Sequence, residues 1–385
     1  MTEMNHFYDQ LQTIEDDREF SPKERLSAVV RPLLHWYHKN ARDLPWRQNP
    51  TPYQVWISEI MLQQTRVEAV KPYYARFMEA LPTAAHLAKV EDQELMKLWE
   101  GLGYYSRARN LKKAAVSIVE QYGGELPADV DKLLSLPGIG SYTAGAVASI
   151  AFRIPAPAVD GNVLRVLSRL LASREDIRKP SVKTWMENLL KQVIPAGDPG
   201  SFNQALIEIG AIVCLPAGEP KCGECPLYTM CLARRQGLLK EIPFRSPLKK
   251  RKIEKLTVCL IFKEGRVAIR KRPDQGLLAS LYELPNVPGW LKEEQVLEAL
   301  DLSGEQVEQM EALPEAKHIF SHIEWHMKGF LIRLKPEEPS KKRSASESKW
   351  EGDFGEGFLF ADVTQIRGTY ALPGAFAAYT RLIGT

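Results

Sequence analysis

Residues 133–162, LLSLPGIGSYTAGAVASIAFRIPAPAVDGN, carry the pattern that most constrains the fold of this chain. An apolar helical segment is interrupted by PGIG at 137–140, where Gly138 and Gly140 allow positive φ angles and a tight turn. Ser141 is a favourable N-cap, and the Ala- and Gly-rich segment after it allows close packing. The stretch therefore predicts a helix, a glycine hairpin and a second helix. The hairpin amides and the N-terminus of the second helix suit a phosphate.

Length and composition describe an ordinary multidomain protein. The chain has 385 residues, of which 44% are hydrophobic and 26% are charged, and this length favours two or more domains. No apolar run reaches membrane-spanning length, and the N-terminal MTEMNHFYDQLQTIEDD is not a signal peptide. We therefore expect a cytoplasmic protein that makes no contact with a membrane.

Charge is distributed unevenly along the chain, although the formal net charge is only +3. The first 20 residues hold six acidic residues and one basic residue, which predicts a poorly ordered acidic tail over 1–21. Residues 232–255 hold nine Lys or Arg and two Glu, which predicts a basic interdomain linker over 233–255. This linker is either a solvated tether or a segment that contacts phosphates or a partner protein. Residues 335–356 are typical of a polar low-complexity loop.

Three acidic residues lie in apolar or helix-starting contexts. Glu59 lies within VWISEIMLQQTR, where an unpaired buried carboxylate is costly, so it is either in a salt bridge or kept neutral by a raised pKa. A catalytic acid needs that neutral state near pH 7. Asp160 precedes GNVLRVLSRLL and by itself predicts a helix cap. Glu208, inside FNQALIEIGAIVC, predicts a buried structural carboxylate that orients a neighbouring side chain.

Four of the five cysteines are clustered. Seven, two and five residues separate Cys214, Cys222, Cys225 and Cys231. In a reducing compartment this density favours a metal site over disulfides, and the thiolates suit either zinc or an iron–sulfur cluster. The fifth cysteine, Cys259, lies in a predicted strand, where we expect it to pack.

The apolar periodicity changes from helical to strand-like at Leu256. Residues 22–232 carry successive helical patterns, whereas LTVCLIF, RVAIRKR and HMKGFLIRL are rich in β-branched and aromatic residues. A helical segment is predicted over 291–301, and GAFAAYTRLI predicts a short helix near the end of the sequence. The pattern therefore predicts an all-α domain followed by an α+β domain.

The motif LPGIGSYTAGA, followed by VDGNV at 159–163, resembles the helix-hairpin-helix DNA glycosylases of the endonuclease III and MutY superfamily. The resemblance implies an all-α helix-hairpin-helix glycosylase domain over 22–232, which includes the cysteine loop, and a Nudix-like α+β domain over 256–385. It also implies that the cysteines hold a 4Fe–4S cluster. The family has six residues in the first cysteine gap, so this chain carries one extra residue between Cys214 and Cys222.

The residue after Gly140-Ser141 separates the subfamilies. Endonuclease III and related lyases place a lysine there, whose amine forms a Schiff base with C1′ of the sugar. This chain has Tyr142, so the resemblance points to the MutY type. That type is a monofunctional glycosylase, which flips adenine out of an A:8-oxoguanine or A:G mispair and hydrolyses its N-glycosidic bond.

The resemblance implies roles for the residues at matching positions. The catalytic set is Glu59, Asp160, Tyr142 and Asn162. The adenine pocket is formed by Trp46, Arg47 and Glu208. Contacts with DNA come from Arg47, Gln64, Tyr104, Gly138, Gly140 and Ser141, of which Gln64 and Tyr104 are expected to act as wedges in the base stack. Recognition of 8-oxoguanine is expected from Phe320, Ser321 and His322. The cluster ligands are Cys214, Cys222, Cys225 and Cys231.

The resemblance also implies a mechanism. Glu59 donates a proton to N7 of the flipped adenine, and Asp160 stabilises the oxocarbenium-like sugar electrostatically or through a transient covalent bond. Tyr142 is expected beside Asp160, where it stabilises the intermediate, and Asn162 fixes the water or the sugar. We expect a monomer at the nucleoid that binds double-stranded DNA, with repair proteins as partners through the linker.

Three other functions are alternatives on the sequence. The first is a bifunctional pyrimidine glycosylase and lyase of the endonuclease III type. The second is a non-catalytic iron–sulfur protein that binds DNA and senses redox state. The third is a Nudix hydrolase of free nucleotides, which is disfavoured because the C-terminal domain lacks the acidic REXXEE helix.

Overall fold

The structure is a computed structural model that describes residues 20–248, 250–336 and 358–384. The chain divides into two compact units. We call them the first unit (Met1–Lys89 and Asn110–Pro247) and the second unit (Val90–Arg109 and Leu248–Thr385). Most of the predicted acidic tail and most of the predicted low-complexity loop lie outside the described residues.

The part of the chain before the sheet is helical. Its helices are α1 (Pro22–Asn40), α2 (Pro52–Leu62), α3 (Val67–Ala80), α4 (Ala84–Lys89), α5 (Asp92–Leu98), α6 (Ser106–Tyr122), α7 (Val130–Ser135), α8 (Ser141–Ile150), α9 (Gly161–Leu170), α10 (Pro180–Lys191), α11 (Pro199–Ile212) and α12 (Leu232–Arg235). Helix α5 belongs to the second unit, and α6 begins there and continues into the first. Within the described ranges, no helix is both long and apolar enough to cross a membrane.

Helix α1 illustrates how the sequence starts and buries a helix. The Ser21 hydroxyl accepts from the Glu24 backbone N–H at 3.3 Å, and the Glu24 carboxylate accepts from the Ser21 backbone N–H at 2.9 Å. This reciprocal capping box satisfies two N–H groups that the helix leaves unpaired. The apolar face of α1, with Leu26, Val29 and Leu33, packs with α9, α10 and α11 into one buried core. That core fixes the start of α9, which Asp160 caps.

The glycine hairpin joins α7 to α8 as predicted, with one difference. Gly138 has a φ of 78°, which favours glycine. Gly140 is the N-cap, because its backbone is extended and its carbonyl accepts the first intrahelical hydrogen bond at 2.9 Å. The prediction that Ser141 is the N-cap is therefore wrong. Ser141 is the first helical residue, and its hydroxyl donates to Glu187 at 2.8 Å and accepts from Lys183 at 2.9 Å.

The second unit is built on a mixed sheet. Its strands are β1 (Lys252–Lys263), β2 (Arg266–Lys271), β3 (Tyr282–Glu283), β4 (Asn286–Pro288), β5 (Val307–Ile319), β6 (Ile323–Leu334) and β7 (Phe358–Ala361). Its helices after β4 are α13 (Glu293–Ala299), α14 (Val363–Gly368) and α15 (Ala377–Thr380). The strand order is β3-β2-β1-β6-β5, while β4 also pairs with β1 and β7 with β2. Strands β1 and β6 are parallel, and the other pairs are antiparallel.

Side chains of β1 alternate between two cores on opposite faces of the sheet. Val258 and Leu260 pack in the core that contains Phe376, whereas Cys259 packs in the core that contains Val296. Cys259 is fully buried, in agreement with the expected packing role. Helices therefore cover both faces of the sheet, and the predicted fold class, a helical domain followed by an α+β domain, is confirmed.

The units differ from the predicted domains at two places. Strand β1 begins at Lys252, inside the segment expected to be a linker. Residues 90–109, which sequence order assigns to the helical domain, belong to the second unit. The reason is a set of long-range hydrogen bonds: side chains of α5 and of the loop after it bond the backbone of residues 366–372, which follow the last strand.

Candidate active site

Glu59 is a buried carboxyl group on α2. Its side chain is only 7% exposed, and burial raises its pKa from 4.5 to about 7. The Tyr142 hydroxyl donates to Glu59 Oε2 at 2.5 Å and opposes this effect. The charge of Asp160 raises the pKa of Glu59 further, and that of Arg47 lowers it. Glu59 can therefore hold or release a proton near pH 7, as a general acid must.

Tyr142 links α8 to α2 across 83 residues of sequence. It lies in the first turn of α8, directly after the hairpin. Burial, together with the charges of Glu59 and Asp160, raises the pKa of Tyr142 well above its ordinary value. Its hydroxyl therefore keeps its proton and serves as the hydrogen-bond donor to Glu59.

Asp160 is the N-cap of α9, as its place in the sequence predicted. Its carboxylate accepts from the backbone N–H of Asn162 at 2.9 Å and of Val163 at 2.8 Å, and from Asn162 Nδ2 at 2.8 Å. Burial raises the pKa of Asp160, and these three hydrogen bonds oppose that rise because they favour the charged form. The charge of Asp160 acts on both Glu59 and Tyr142, so the three groups form one electrostatic site.

Asn162 uses both ends of its amide within the protein. Its Oδ1 accepts from Arg165 Nη2 at 2.9 Å, while its Nδ2 holds Asp160. Arg165 also donates to the carbonyls of Gly210 at 2.7 Å and Cys214 at 2.8 Å. A Cβ at Gly210 would lie 2.5 Å from the Asn162 Cβ, so glycine is needed for the close approach of α11. In this structure Asn162 orients Asp160.

Glu208 is fully buried on α11 and is paired with two arginines. Its oxygens accept from Arg42 Nε at 2.6 Å, Arg42 Nη2 at 3.0 Å and Arg47 Nη2 at 2.8 Å. Burial alone would raise its pKa, but these hydrogen bonds lower the pKa of Glu208 to about 2. Arg47 in turn influences the pKa of Glu59, so this ion network adjoins the acid. Trp46, the third predicted pocket residue, is buried with its ring edge against Tyr74.

Both residues predicted to enter the base stack have a left-handed backbone. Gln64, just after α2, has a φ of 60°, and Tyr104, just before α6, has a φ of 47°. Residues other than glycine adopt this region rarely, and such strain concentrates at functional sites. No pattern in the sequence indicates this left-handed backbone. Gln64 belongs to the first unit and Tyr104 to the second.

The four clustered cysteines line one small cavity. Arg169, Tyr228 and Arg234 also line it, and Arg169 Nη1 lies 3.2 Å from Cys214 Sγ. Among the described residues, no group of three or more His, Cys, Asp or Glu side chains is arranged to hold a single metal ion. The extra residue of the first gap falls in a loop that turns at Gly218, whose φ is 73°.

The turn between β5 and β6 contains the three residues predicted to recognise 8-oxoguanine. Phe320, Ser321 and His322 line a cavity of about 540 Å³ in the second unit, together with residues 101, 103–106, 109, 276–278 and 373–375. The Phe320 ring packs edge-on against His318 at 4.6 Å and Trp325 at 4.9 Å between centroids.

Three arginines of the site and of the cysteine loop were not predicted from the sequence. Arg42 lies in a loop of ordinary polarity, and nothing there marks it as a partner of Glu208. Arg165 and Arg169 did leave a signal, because they interrupt the apolar pattern VLRVLSRLL and are almost fully buried. Such buried arginines require acceptors, which the site and the cysteine loop supply.

Comparisons with known proteins agree with this geometry. Residues 57–192 match the family model described as HhH-GPD superfamily base excision DNA repair protein, and residues 257–380 match the NUDIX domain model. The first match contains Glu59, Tyr142 and Asp160, and the second contains the turn with Phe320.

Relatives cover most of the chain. The adenine DNA glycosylase of Rattus norvegicus is 34% identical over 379 residues, which span 83% of this chain and 73% of that protein. The adenine DNA glycosylase of Buchnera aphidicola subsp. Acyrthosiphon pisum (strain APS) is 35% identical over 310 residues, which span 78% and 85%.

A solved structure agrees with the helical part of the fold. The structure of a thermostable thymine-DNA glycosylase is 30% identical with a TM-score of 0.50, and it covers 55% of this chain and 97% of that one. Since the relatives are matched over more than two thirds of their length, the chain belongs to the adenine DNA glycosylase family of base excision repair proteins.

Proposed function

We propose that this protein is a monofunctional glycosylase that removes adenine from A:8-oxoguanine and A:G mispairs in duplex DNA. The observation that carries the proposal is Glu59, a buried carboxyl group with a pKa near 7 that shares its surroundings with a second carboxyl group, Asp160. Two carboxyl groups with different environments suit glycoside hydrolysis, in which one acts as an acid and the other stabilises the sugar cation.

In the first step, Glu59 transfers its proton to N7 of the flipped adenine. The C1′–N9 bond then breaks, and its electron pair stays on N9, so the adenine leaves as a neutral base. The sugar becomes an oxocarbenium-like cation, and the Asp160 carboxylate stabilises it electrostatically. Asn162 keeps Asp160 in place through its amide.

In the second step, water adds to C1′ and forms the abasic site. The proton that the water loses goes to Glu59, which restores the acid for the next turnover. Tyr142 holds Glu59 through its hydroxyl throughout. The tyrosine also occupies the position where a Schiff base would need an amine, and residues 137–142 contain no lysine. Hydrolysis therefore fits this hairpin better than lyase chemistry.

Recognition of the mispair is proposed for both units. Gln64 and Tyr104 enter the base stack, and Phe320, Ser321 and His322 contact 8-oxoguanine at the turn after β5. The hairpin amides of Gly138, Gly140 and Ser141 hold a phosphate. Flipping costs a few kcal/mol and costs less at a mispair, which contributes to selectivity.

We propose that Cys214, Cys222, Cys225 and Cys231 hold a 4Fe–4S cluster. The four thiols line one cavity, so they can supply the four thiolate ligands that an iron–sulfur cluster takes. When bound, such a cluster cross-links the loop after α11. Purified protein should contain about four irons per chain and no stoichiometric zinc, as measured by elemental analysis. Stoichiometric zinc without iron would contradict this assignment.

The decisive test is a single-turnover assay on a duplex with adenine opposite 8-oxoguanine. Glu59→Gln should bind the duplex but cleave at least about 100-fold more slowly, because general acid catalysis contributes about 10²–10⁴-fold. Asp160→Asn should also be inactive. Glu68→Gln, which removes an exposed carboxylate, is the matched control.

Three outcomes would contradict the proposal. Normal cleavage by Glu59→Gln would exclude its role as the acid. Binding of the duplex by the wild-type protein without cleavage would instead favour the non-catalytic alternative. Trapping with borohydride should give no covalent adduct, whereas an adduct would favour a lyase.

A further inference from the structure

Tyr104 is an exposed aromatic residue on a rigidly held loop. Its side chain is 46% exposed, although its backbone is in the left-handed region. The loop carbonyls around it are held by buried donors: Trp99 Nε1 donates to Gly103 O at 3.1 Å, and Arg107 Nη2 donates to Leu102 O and Gly103 O at 3.1 Å. A strained residue persists only where its surroundings determine its conformation, so this loop is built to present the ring.

A pair of charged residues fastens the base of this loop to the C-terminal part of the second unit. Lys97 Nζ donates to the carbonyls of Ile366 and Tyr370, each at 3.2 Å, and lies 2.6 Å from Glu100 Oε2. The other Glu100 oxygen accepts from the Leu372 backbone N–H at 2.8 Å. The three acceptors use all three protons of the ammonium group. We call this arrangement the Lys97–Glu100 bracket.

The bracket differs from an ordinary surface ion pair. Lys71 and Glu68 have the same spacing on α3 and a similar distance, 2.9 Å, but Glu68 is 77% exposed. In the bracket the two side chains are 20% and 28% exposed, and each also bonds the backbone of a segment more than 250 residues away in sequence. The bracket therefore fixes one segment against another, which an exposed pair within one helix cannot do.

The segment held by the bracket leads directly into the wall of the 540 Å³ cavity. Residues 373–375 line this cavity, and so do the Tyr104 loop and the turn at 318–322. A second tie comes from Arg109 Nη1, which donates to Ala279 O at 2.8 Å, next to the lining residues 276–278. Phe320 of the turn packs against the same core as Leu372 and Ala375, so these ties connect the Tyr104 loop to the turn through that core.

We propose that Lys97 and Glu100 are positioning residues for opposite-base specificity. The bracket holds Tyr104 at the distance from the 318–322 turn at which a nucleobase stacked on the tyrosine presents its edge to the turn. This inference rests on the proposed function, because it takes the base opposite adenine as the occupant of the cavity. Loss of the bracket lets the loop move, so the Tyr104 ring is no longer held in place for stacking. The protein then distinguishes 8-oxoguanine from guanine less well.

The test compares four variants with a matched control. Glu100→Ala and Lys97→Met remove the bracket, Glu100→Gln keeps an acceptor for Leu372 but loses the charge, and Lys97→Arg keeps the charge. The control is Glu68→Ala, which removes a carboxylate from the exposed pair. Thermal unfolding first establishes that each variant is folded. If Glu100→Ala does not fold, Lys97→Met and Glu100→Gln carry the comparison.

Three readouts separate positioning from catalysis. Amide hydrogen exchange of residues 100–106 should accelerate in Glu100→Ala and Lys97→Met. Their affinity for a duplex with non-cleavable 2′-fluoro-deoxyadenosine opposite 8-oxoguanine should fall about tenfold, within the range for loss of one stacked base. Affinity for the duplex with guanine should fall less, so the preference shrinks. The single-turnover rate at saturating protein should change by less than about twofold, since the acid itself is intact.

Rescue by the conservative variants distinguishes positioning by the bracket from a general loss of stability. Lys97→Arg should behave like the wild-type protein, and Glu100→Gln should lie between wild type and Glu100→Ala. Wild-type exchange and wild-type preference in Lys97→Met would overturn the inference while leaving the proposed function standing. Equal losses for both duplexes would overturn it as well. The inference would also be overturned if the wild-type protein bound the two duplexes equally well. Failure of the wild-type protein to cleave either mispair would instead overturn the proposed function, and the exchange data would still report whether the bracket holds the loop.

Discussion

Removal of the Tyr142 hydroxyl should shift the pH dependence of base excision upward. In the structure this hydroxyl donates to Glu59 at 2.5 Å and lowers the pKa of Glu59, which burial has raised to about 7. Tyr142→Phe keeps the ring but loses this donor. The carboxylate form of Glu59 is then less stable, so its pKa rises. Because the acid works in its protonated form, activity should persist to higher pH.

The size of the shift follows from the hydrogen bond. A hydrogen bond to a charged group contributes about 1.5–3 kcal/mol, and about 1.36 kcal/mol corresponds to one pKa unit. The midpoint of the alkaline limb should therefore move from about 7 to about 8 or above. With these midpoints, the rate at pH 8 relative to pH 6 rises from about one tenth to about one half.

The assay measures single-turnover rates between pH 5.5 and 9. Each rate is divided by the rate of the same variant at pH 6, so the shift is measured independently of any fall in absolute rate. Tyr53→Phe is the matched control, since it removes another buried hydroxyl from the same region of α2, one that donates to the Leu81 carbonyl at 2.7 Å. Its midpoint should stay at the wild-type value. An unchanged or lower midpoint for Tyr142→Phe would refute the assignment of the titrating acid to Glu59.

Two further variants test the packing around the site. Arg42→Met leaves the buried Glu208 carboxylate with one arginine fewer, so the free energy of unfolding should fall by about 3 kcal/mol or more, as measured by thermal unfolding. The control is Lys71→Met, which breaks an exposed ion pair and should lower that free energy by less than about 1 kcal/mol. Equal melting temperatures would contradict the ion network. Gly210→Ala places a methyl group 2.5 Å from the Asn162 Cβ, which should cost about 1–3 kcal/mol by overpacking and slow base excision as well. A variant of wild-type stability and activity would show that the approach of α11 can relax.

The sequence predicted what depends on local pattern. The hairpin, the cap at Asp160 and the existence of the first strand all follow from residues close together in the chain, although that strand begins at Lys252, four residues before the predicted start. The sequence also pointed to the burial of Glu59, because a carboxylate inside an apolar helix must be neutral or paired. Its partner could not be found in that way, since Tyr142 lies 83 residues away and only the packing of α8 on α2 brings them together.

Other features depend on contacts that have no local signal. Residues 90–109 group with the second unit through hydrogen bonds to segments more than 150 residues later in the chain, and no local pattern of the sequence indicates such contacts. Ser141 failed as a cap for a subtler reason. Sequence shows which residues can cap a helix, but the extended backbone of Gly140 decides where the helix starts.

The position of Asp160 at a helix start has a consequence for damaged copies of this protein. Asparagine caps helices about as well as aspartate, whereas alanine costs about 1 kcal/mol. An aspartate-to-asparagine exchange there should leave a stable molecule that cellular proteases do not remove and that still occupies mispairs. Such a variant would block access of the active enzyme to the mispairs. This one substitution would therefore harm a cell more than complete loss of the protein.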